Sequence, residues 1–259
     1  MANFQMPVSE FMTSPLETVS GSSFIDHAHR KLQQLGVSAL PVVDDEGQVV
    51  GVVSRTDVLR VGRHEAGARP DARLLAFPAR PIVDFMTPDP VAVDPDTPVA
   101  EAGQLMLQKR IHRVFVRGAQ GMDGILTTRD LMRAIRVKRM NQPISEFASS
   151  PIFTIRATEP VSMAAERLEK ARVTGLVVVD GEWPVGVFAQ TEALASRELA
   201  RDTPVDEVMS PAILVLEGST PLHRAADQAA SMDVRRIITL NEGKAAGIMT
   251  GLDFARAVV

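Results

Sequence analysis

Apolar positions along the chain follow two alternating periods, and the alternation itself recurs. Around residue 91 a short apolar run, Val91-Ala92-Val93, precedes Val99, Ala102, Gly103 and Met106, which fall at helical spacing. Two β-rich runs and a further helical stretch follow. The same succession reappears three more times, with Leu222, Ala225, Ala226 and Ala229 forming the corresponding stripe near the end of the chain. The pattern predicts strands at Ala39–Val43, Arg113–Val116, Leu176–Val179 and Arg236–Leu240. A turn-rich segment such as Asp44-Asp45-Glu46-Gly47 follows each, leading to a second strand beginning at Gly51, Gly124, Gly186 or Gly247. Helix starts are marked by Thr97-Pro98 and Thr220-Pro221, read as a capping hydroxyl before a proline at the first helical position. Ser23 and Glu159-Pro160 stand at the same register in the other copies.

The repetition is measurable. Phe11-Met-Thr-Ser-Pro15, Phe85-Met-Thr-Pro-Asp-Pro90, Phe147-Ala-Ser-Ser-Pro151 and Val208-Met-Ser-Pro211 form one landmark, and the four glycines form a second. From Met12 through Met86 and Ala148 to Met209 the steps are 74, 62 and 61 residues; the glycines step by 73, 62 and 61. Four β-α-β-β-α copies follow, at about 7–62, 81–137, 143–199 and 204–259, in a mixed α/β (α+β) fold. A copy of some 60 residues buries only a modest core, so copies should pair. Consecutive pairing is expected, with residues 1–140 as one module and 141–259 as the other. The apolar stripes on both helices of each copy suggest a four-copy disc, within one chain or in a homodimer. Arg60 to Arg80, rich in arginine, glycine and proline, is read as a surface excursion.

Composition narrows the chemistry. A net charge of −4 gives no chain-wide field for nucleic acid or anionic lipid, and one Trp with no Tyr leaves little for base stacking. The absence of cysteine removes disulfides, thiolate metal sites and cysteine nucleophiles. Without a signal-peptide pattern or a long apolar run, the chain is expected to be cytoplasmic, with neither a membrane nor a nucleic-acid partner.

The chemistry-bearing pattern lies at the second landmark: Gly51-Val-Val-Ser-Arg-Thr-Asp57, Gly124-Ile-Leu-Thr-Thr-Arg-Asp130 and Gly247-Ile-Met-Thr-Gly-Leu-Asp253. Each ends a strand and opens a helix. A carboxylate in the first turn can accept hydroxyl hydrogen bonds, while free N–H groups and the positive helix end favour a phosphate. The same residues also suit plain capping, Ser54, Thr127 and Thr250 as caps with Asp57, Asp130 and Asp253 as first-turn acids. Arg55 and Arg129 lie inside the pattern. Ser38, His112, Thr174 and Arg235 share one register upstream of it.

Glycine, two apolar residues, Ser or Thr, two variable residues and Asp resemble the signature of the cystathionine-β-synthase (CBS) domain, over nearly the whole chain. The resemblance implies paired modules that bind AMP, ADP, ATP or a related adenosine ligand, with the Asp on the ribose hydroxyls and the Ser or Thr near the phosphate. His112-Arg113-Val-Phe-Val is similar to the phosphate-contacting stretch of AMP-binding kinase regulatory subunits in that family, which implies His112 and Arg235 as phosphate contacts, with Arg55 and Arg129 inside the signature as comparable candidate ligand contacts. The expected function is regulatory, acting on an unidentified partner protein, with no catalytic residues and no catalytic cofactor. The alternative is a scaffold with vestigial sites. Copy three departs from the signature, with Ala189 for the hydroxyl residue, Glu192 for the Asp and Ala148 for the methionine, and is expected to bind worst. His27 and His29 diverge by about 200° on a helix, so no metal site is expected. Arg133, Arg136, Lys138 and Arg139 are read as a solvated helix end.

Overall fold

A computed structural model describes residues 4–66, 71–119 and 121–259. Copy one comprises β1 (Val19–Ser20), α1 (Ile25–Gln34), β2 (Ala39–Val43), β3 (Val49–Ser54) and α2 (Arg55–Glu65). A short strand β4 (Thr87–Pro88) precedes copy two, which comprises β5 (Ala92–Val93), α3 (Val99–Lys109), β6 (Arg113–Gly118), β7 (Gly121–Thr127) and α4 (Thr128–Lys138). Copy three follows with β8 (Thr154–Arg156), α5 (Val161–Lys170), β9 (Gly175–Asp180), β10 (Trp183–Ala189) and α6 (Gln190–Ala195). Copy four has β11 (Leu214–Glu217), α7 (Leu222–Ser231), β12 (Ile237–Asn241), β13 (Lys244–Met249) and α8 (Gly251–Ala257).

The first strand of each copy lies parallel to the second, as in Ala92 opposite Phe115 and Leu214 opposite Ile237, with the intervening helix as crossover. The last two strands form an antiparallel hairpin. The landmark glycines lie inside the second strand rather than at its start, because the turn before it is tight and pairing begins earlier, at Val49, Gly121, Trp183 and Lys244.

The first helices are capped by backbone rather than by the expected hydroxyls. Pro98 and Pro221 keep extended ψ values of 141° and 135° and are themselves the N-cap residues, as is Phe24 after Ser23 in copy one. The orphan first-turn N–H groups donate instead to carbonyls of the segment that leads into the other copy of the same consecutive pair. Val99 N–H reaches Met6 O at 2.9 Å and Ala100 N–H reaches Phe4 O at 3.1 Å. Leu222 N–H reaches Gln142 O at 2.9 Å, and Val161 N–H reaches Thr203 O at 2.8 Å. Consecutive copies thus exchange their leading segments. The segment before copy one serves copy two, and the one before copy three serves copy four. In return, β4 adds a strand to copy one's sheet, Gly51 opposite Pro88, and Ser210 pairs with Val187 of copy three.

Packing divides the chain differently from the expected split at residue 140. One compact unit contains Met1–Leu16, Val91–Ile152 and Ile213–Val259; the other contains Glu17–Pro90 and Phe153–Ala212. The bodies of copies two and four therefore share the first unit, and those of copies one and three share the second. Each unit has its own core. In the first, Leu131 and Ile135 of α4 and Met106 of α3 pack with Leu222, Ala226 and Phe254. The stripe of α7 is almost all alanine, which lets α4 approach closely and fill the space with larger side chains. In the second, Ile25, Leu40 and Val58 join Val161, Phe188 and Leu194, and α2 packs on α6. Each such aliphatic side chain contributes about 1.5–3 kcal/mol on burial.

The segment read as a surface excursion is anchored where described, although Arg69 lies outside the described residues. Leu74 is fully buried, its N–H donating to Leu199 O at 2.9 Å, while Ala76 N–H donates to Gly62 O. Two adjacent leucines outweigh the polar composition around them. Phe77 meets the buried ring of His29 edge-on at 5.3 Å, so this histidine is a packing residue. Burial pushes His29 below the usual histidine range, helped by Arg197 and opposed by Asp26. Among the described residues no cluster of His, Asp and Glu is arranged to hold a metal ion, and no helix is long and apolar enough to cross a membrane.

Candidate functional site

The second helix of each copy opens on the signature residues, and their capping role is real. In α4, Asp130 Oδ2 accepts from the backbone N–H and hydroxyl of Thr127, both at 2.8 Å. Asp57 Oδ2 does the same for Ser54 at 2.9 and 2.7 Å, and Asp253 Oδ2 for Thr250 at 2.7 Å in both bonds. One carboxylate oxygen per aspartate is therefore committed to starting the helix. The other oxygen decides what the site can do.

Those second oxygens differ. Asp253 is 1% exposed, and its Oδ1 accepts from the Ser149 hydroxyl at 2.5 Å and from Arg256 at 3.2 Å. Asp57 Oδ1 accepts from Arg60 at 3.0 Å. Among the described residues no arginine forms a salt bridge with Asp130, whose carboxylate is held by Thr127 and by its own backbone N–H. Its counterpart arginine, Arg133, turns away, donating to Glu10 O at 3.2 Å and lying 5.2 Å from the Phe11 ring centroid. Burial pushes the half-buried Asp130 carboxyl above its ordinary value, opposed by the Thr127 hydrogen bonds and the charge of Arg133. The arginine three residues after each aspartate was overlooked in the sequence. It was visible there as Arg60, Arg133 and Arg256, with Ala195 breaking the series in copy three. Arg133 is exposed, as are Arg136, Lys138 and Arg139, but its guanidinium is engaged by Glu10 and Phe11.

Thr128, the first residue of α4, donates its N–H to His112 O at 3.1 Å, tying the upstream register position to the helix start. Arg55 N–H reaches Ser38 O in the same way, and Gln190 N–H reaches Thr174 O. In the first unit the starts of α4 and α8 converge. A Cβ added to Gly251 would lie 2.5 Å from Thr128 Oγ1 and 3.1 Å from His112 Nδ1, so a glycine is required by close approach. Burial, followed by the charges of Arg113, Arg236 and Arg235 and against the pull of Asp253, lowers His112 to about 4. A neutral imidazole beside three guanidinium groups and a helix start is a setting that favours an anion.

Among the described residues the second unit shows no such concentration at the equivalent place. Arg55, expected as a ligand contact, is only 9% exposed and donates to Thr191 Oγ1 at 2.7 Å. Burial lowers its pKa and Glu192 opposes the shift. Gln190 donates to Thr56 Oγ1 at 2.8 Å. The starts of α2 and α6 thus satisfy each other. In copy three Ala189 contributes no hydroxyl, and Glu192 Oε2 reaches back to the Ala189 N–H at 2.9 Å, keeping half of the capping box. Arg129, the other arginine of the signature, pairs with Asp233 of copy four.

The CBS domain profile matches residues 8–64, 82–137 and 144–197. The chain belongs to the CBS domain family. Copy four lies outside the matched segments, yet repeats the CBS order of strands and helices and the capping pair Thr250 and Asp253. CBSX2, a chloroplastic CBS domain-containing protein of Arabidopsis thaliana, is 31% identical over 156 residues, 51% of this chain and 65% of CBSX2. The chain therefore spans less than two thirds of that relative. An uncharacterized 33.4 kDa protein of Thermofilum pendens is 22% identical over 96% of this chain and 89% of its own length. Among solved structures, MJ1225 of Methanocaldococcus jannaschii, proposed as an archaeal homolog of g-AMPK, superposes with a TM-score of 0.84. It covers 98% of this chain and 100% of its own at 18% identity, a likeness of fold. Four CBS copies in one chain are thus an arrangement this fold shares.

Proposed function

We propose that the chain is a regulatory protein that binds an adenine nucleotide in its first unit. The ribose hydroxyls go to Asp130 Oδ1, and the phosphate goes to the N-terminal turn of α4 beside Thr127, His112 and Arg235, with Arg113 and Arg236 completing the positive field. The observation that carries this reading is the convergence of the α4 and α8 starts on His112, whose carbonyl accepts from Thr128 N–H at 3.1 Å and whose Nδ1 lies 3.1 Å from a Cβ built on Gly251, beside the charges of Arg113, Arg235 and Arg236. The relative CBSX2 is known in complex with AMP. Ligand occupancy is read out by an unidentified partner protein, through a change in how the copies pack. Consecutive copies act as modules because their leading segments are exchanged, and the four copies assemble as a disc within one chain or a homodimer.

Asp57 is a second, weaker ribose acceptor, since Arg60 has to leave it first. Asp253 is weaker still, all of its acceptor positions being used. The internally satisfied starts of α2 and α6 favour a scaffold role for the second unit. Isothermal titration of the nucleotide-stripped protein with AMP, ADP and ATP tests the reading. Saturable heat that is lost in Asp130→Ala supports it; no heat with any of the three leaves the scaffold alone.

A further inference from the structure

Three copies carry an arginine three residues after the signature aspartate, one helical turn away, where a salt bridge to that aspartate is the default geometry. Arg60 and Arg256 adopt it, at 3.0 and 3.2 Å. Arg133 does not. Its guanidinium lies over Phe11, at 5.2 Å from the ring centroid, and donates to the carbonyl of Glu10 at 3.2 Å. Phe11 is 4% exposed and fixed in the core of the first unit, so the ring is a rigid platform. Both contacts come from the leading segment that copy one lends to copy two. A planar guanidinium suits them: it stacks on an aromatic face while its edge donates to a carbonyl.

We infer that Phe11 and the Glu10 carbonyl form a latch that holds Arg133 off Asp130 and so keeps that carboxylate open for the ribose of the nucleotide. Phe11 is a positioning residue in this arrangement, acting only through Arg133. The inference rests on the proposed nucleotide site. It adds that the exchanged leading segment sets which aspartate is available, and that displacing this segment lets Arg133 fall onto Asp130 and close the site. The corresponding segment position before copy three, Phe147, instead receives Arg256 Nη1 on its carbonyl at 2.9 Å while Nη2 remains on Asp253. The two leading segments therefore bias the same arginine in opposite ways.

The test is a double-mutant cycle read by AMP titration on the full chain. Phe11→Leu is expected to weaken AMP binding at least tenfold, because Arg133 then competes for Asp130. Arg133→Ala alone is expected to change affinity less than threefold, and Phe11→Leu with Arg133→Ala is expected to recover wild-type affinity. Phe11→Met, which keeps most of the side-chain volume, replaces the leucine variant if that variant does not fold. A loss in Phe11→Leu that Arg133→Ala fails to rescue, or no loss at all, overturns the latch while the nucleotide site stands. A wild-type chain that binds no AMP, or an Asp130→Ala variant that binds it unchanged, overturns the site and the latch together.

Discussion

Met12 sits directly on Gly124: a Cβ built on the glycine would lie 2.4 Å from the methionine sulfur. Met86 stands in the same relation to Gly51, again at 2.4 Å, and Met209 to Gly186 at 2.7 Å. The two landmarks that kept register along the chain are the two sides of one contact, made between consecutive copies. Where copy three has Ala148 instead of methionine, Gly247 is met by Ala148 Cβ at 3.2 Å and Thr239 Oγ1 at 3.0 Å. The smaller residue is filled in by a neighbouring hydroxyl side chain.

Substituting these glycines should separate movable from fixed neighbours. At Gly124 the nearest atoms belong to a flexible methionine, whereas Gly51 also faces Thr87 O at 2.9 Å and Gly186 faces Ser210 O at 2.7 Å. A backbone carbonyl in an exchanged segment cannot step aside without breaking its pairing. Gly51→Ala and Gly186→Ala are expected to cost about 1–3 kcal/mol each, and Gly124→Ala less, in denaturant unfolding. Adding Met12→Ala should recover much of the smaller loss.

The sequence made the four copies, their element order and the capping chemistry legible, because local periodicity and turn residues encode them. The exchange of leading segments was not legible. Nothing in the residues around Met12 says whether they serve the glycine 39 or 112 positions later, and only the packed structure brings Gly124 to them. The sharing of one core by alternate copies was hidden for the same reason, since the alanine stripe of α7 fits any partner of complementary size. At the site, His112 and Arg235 could be found by aligning the copies. The burial of Arg55 could not, because Thr191 and Glu192 are supplied by another copy.

Proton binding at His112 offers a direct readout. Its folded pKa of about 4 lies below the ordinary 6.5, so the unfolded chain takes up the proton first as pH falls. Stability from this residue is complete above about 6.5 and is lost on acidification toward 4; in His112→Gln that part of the slope should vanish. A bound phosphate anion favours the imidazolium, so the His112 NMR titration should move upward when AMP is added. An unchanged midpoint in saturating AMP would place the phosphate elsewhere.

Asp130 has two duties that a single substitution can distinguish by size. Losing the capping oxygen costs about 0.5–2 kcal/mol of stability, whereas losing the hydrogen bonds of ribose hydroxyls to a charged acceptor costs about 1.5–3 kcal/mol of binding. Asp130→Ala is therefore expected to lower the melting temperature modestly and AMP affinity roughly 10- to 100-fold. Melting that falls while affinity holds would mean that the carboxylate only caps α4.

The second unit supplies the contrasting case, with Arg55 as its test residue. A buried guanidinium that donates to Thr191 and faces Glu192 holds copies one and three together, and removing a hydrogen bond of a charged group costs about 1.5–3 kcal/mol. Arg55→Ala should thus destabilise the protein clearly while leaving AMP affinity within about twofold. Arg235→Ala should do the reverse, because the residue is exposed and acts on His112 through its charge. Copy three should remain the poorest binder. Ala189 has no hydroxyl to offer, a loss of about 0.5–1.5 kcal/mol, and one oxygen of Glu192 is already taken by the Ala189 N–H. A crystal soaked in AMP should show density beside Thr127 and Asp130 before any appears beside Ala189 and Glu192; the opposite order would make the second unit the nucleotide site and Arg55 one of its ligands.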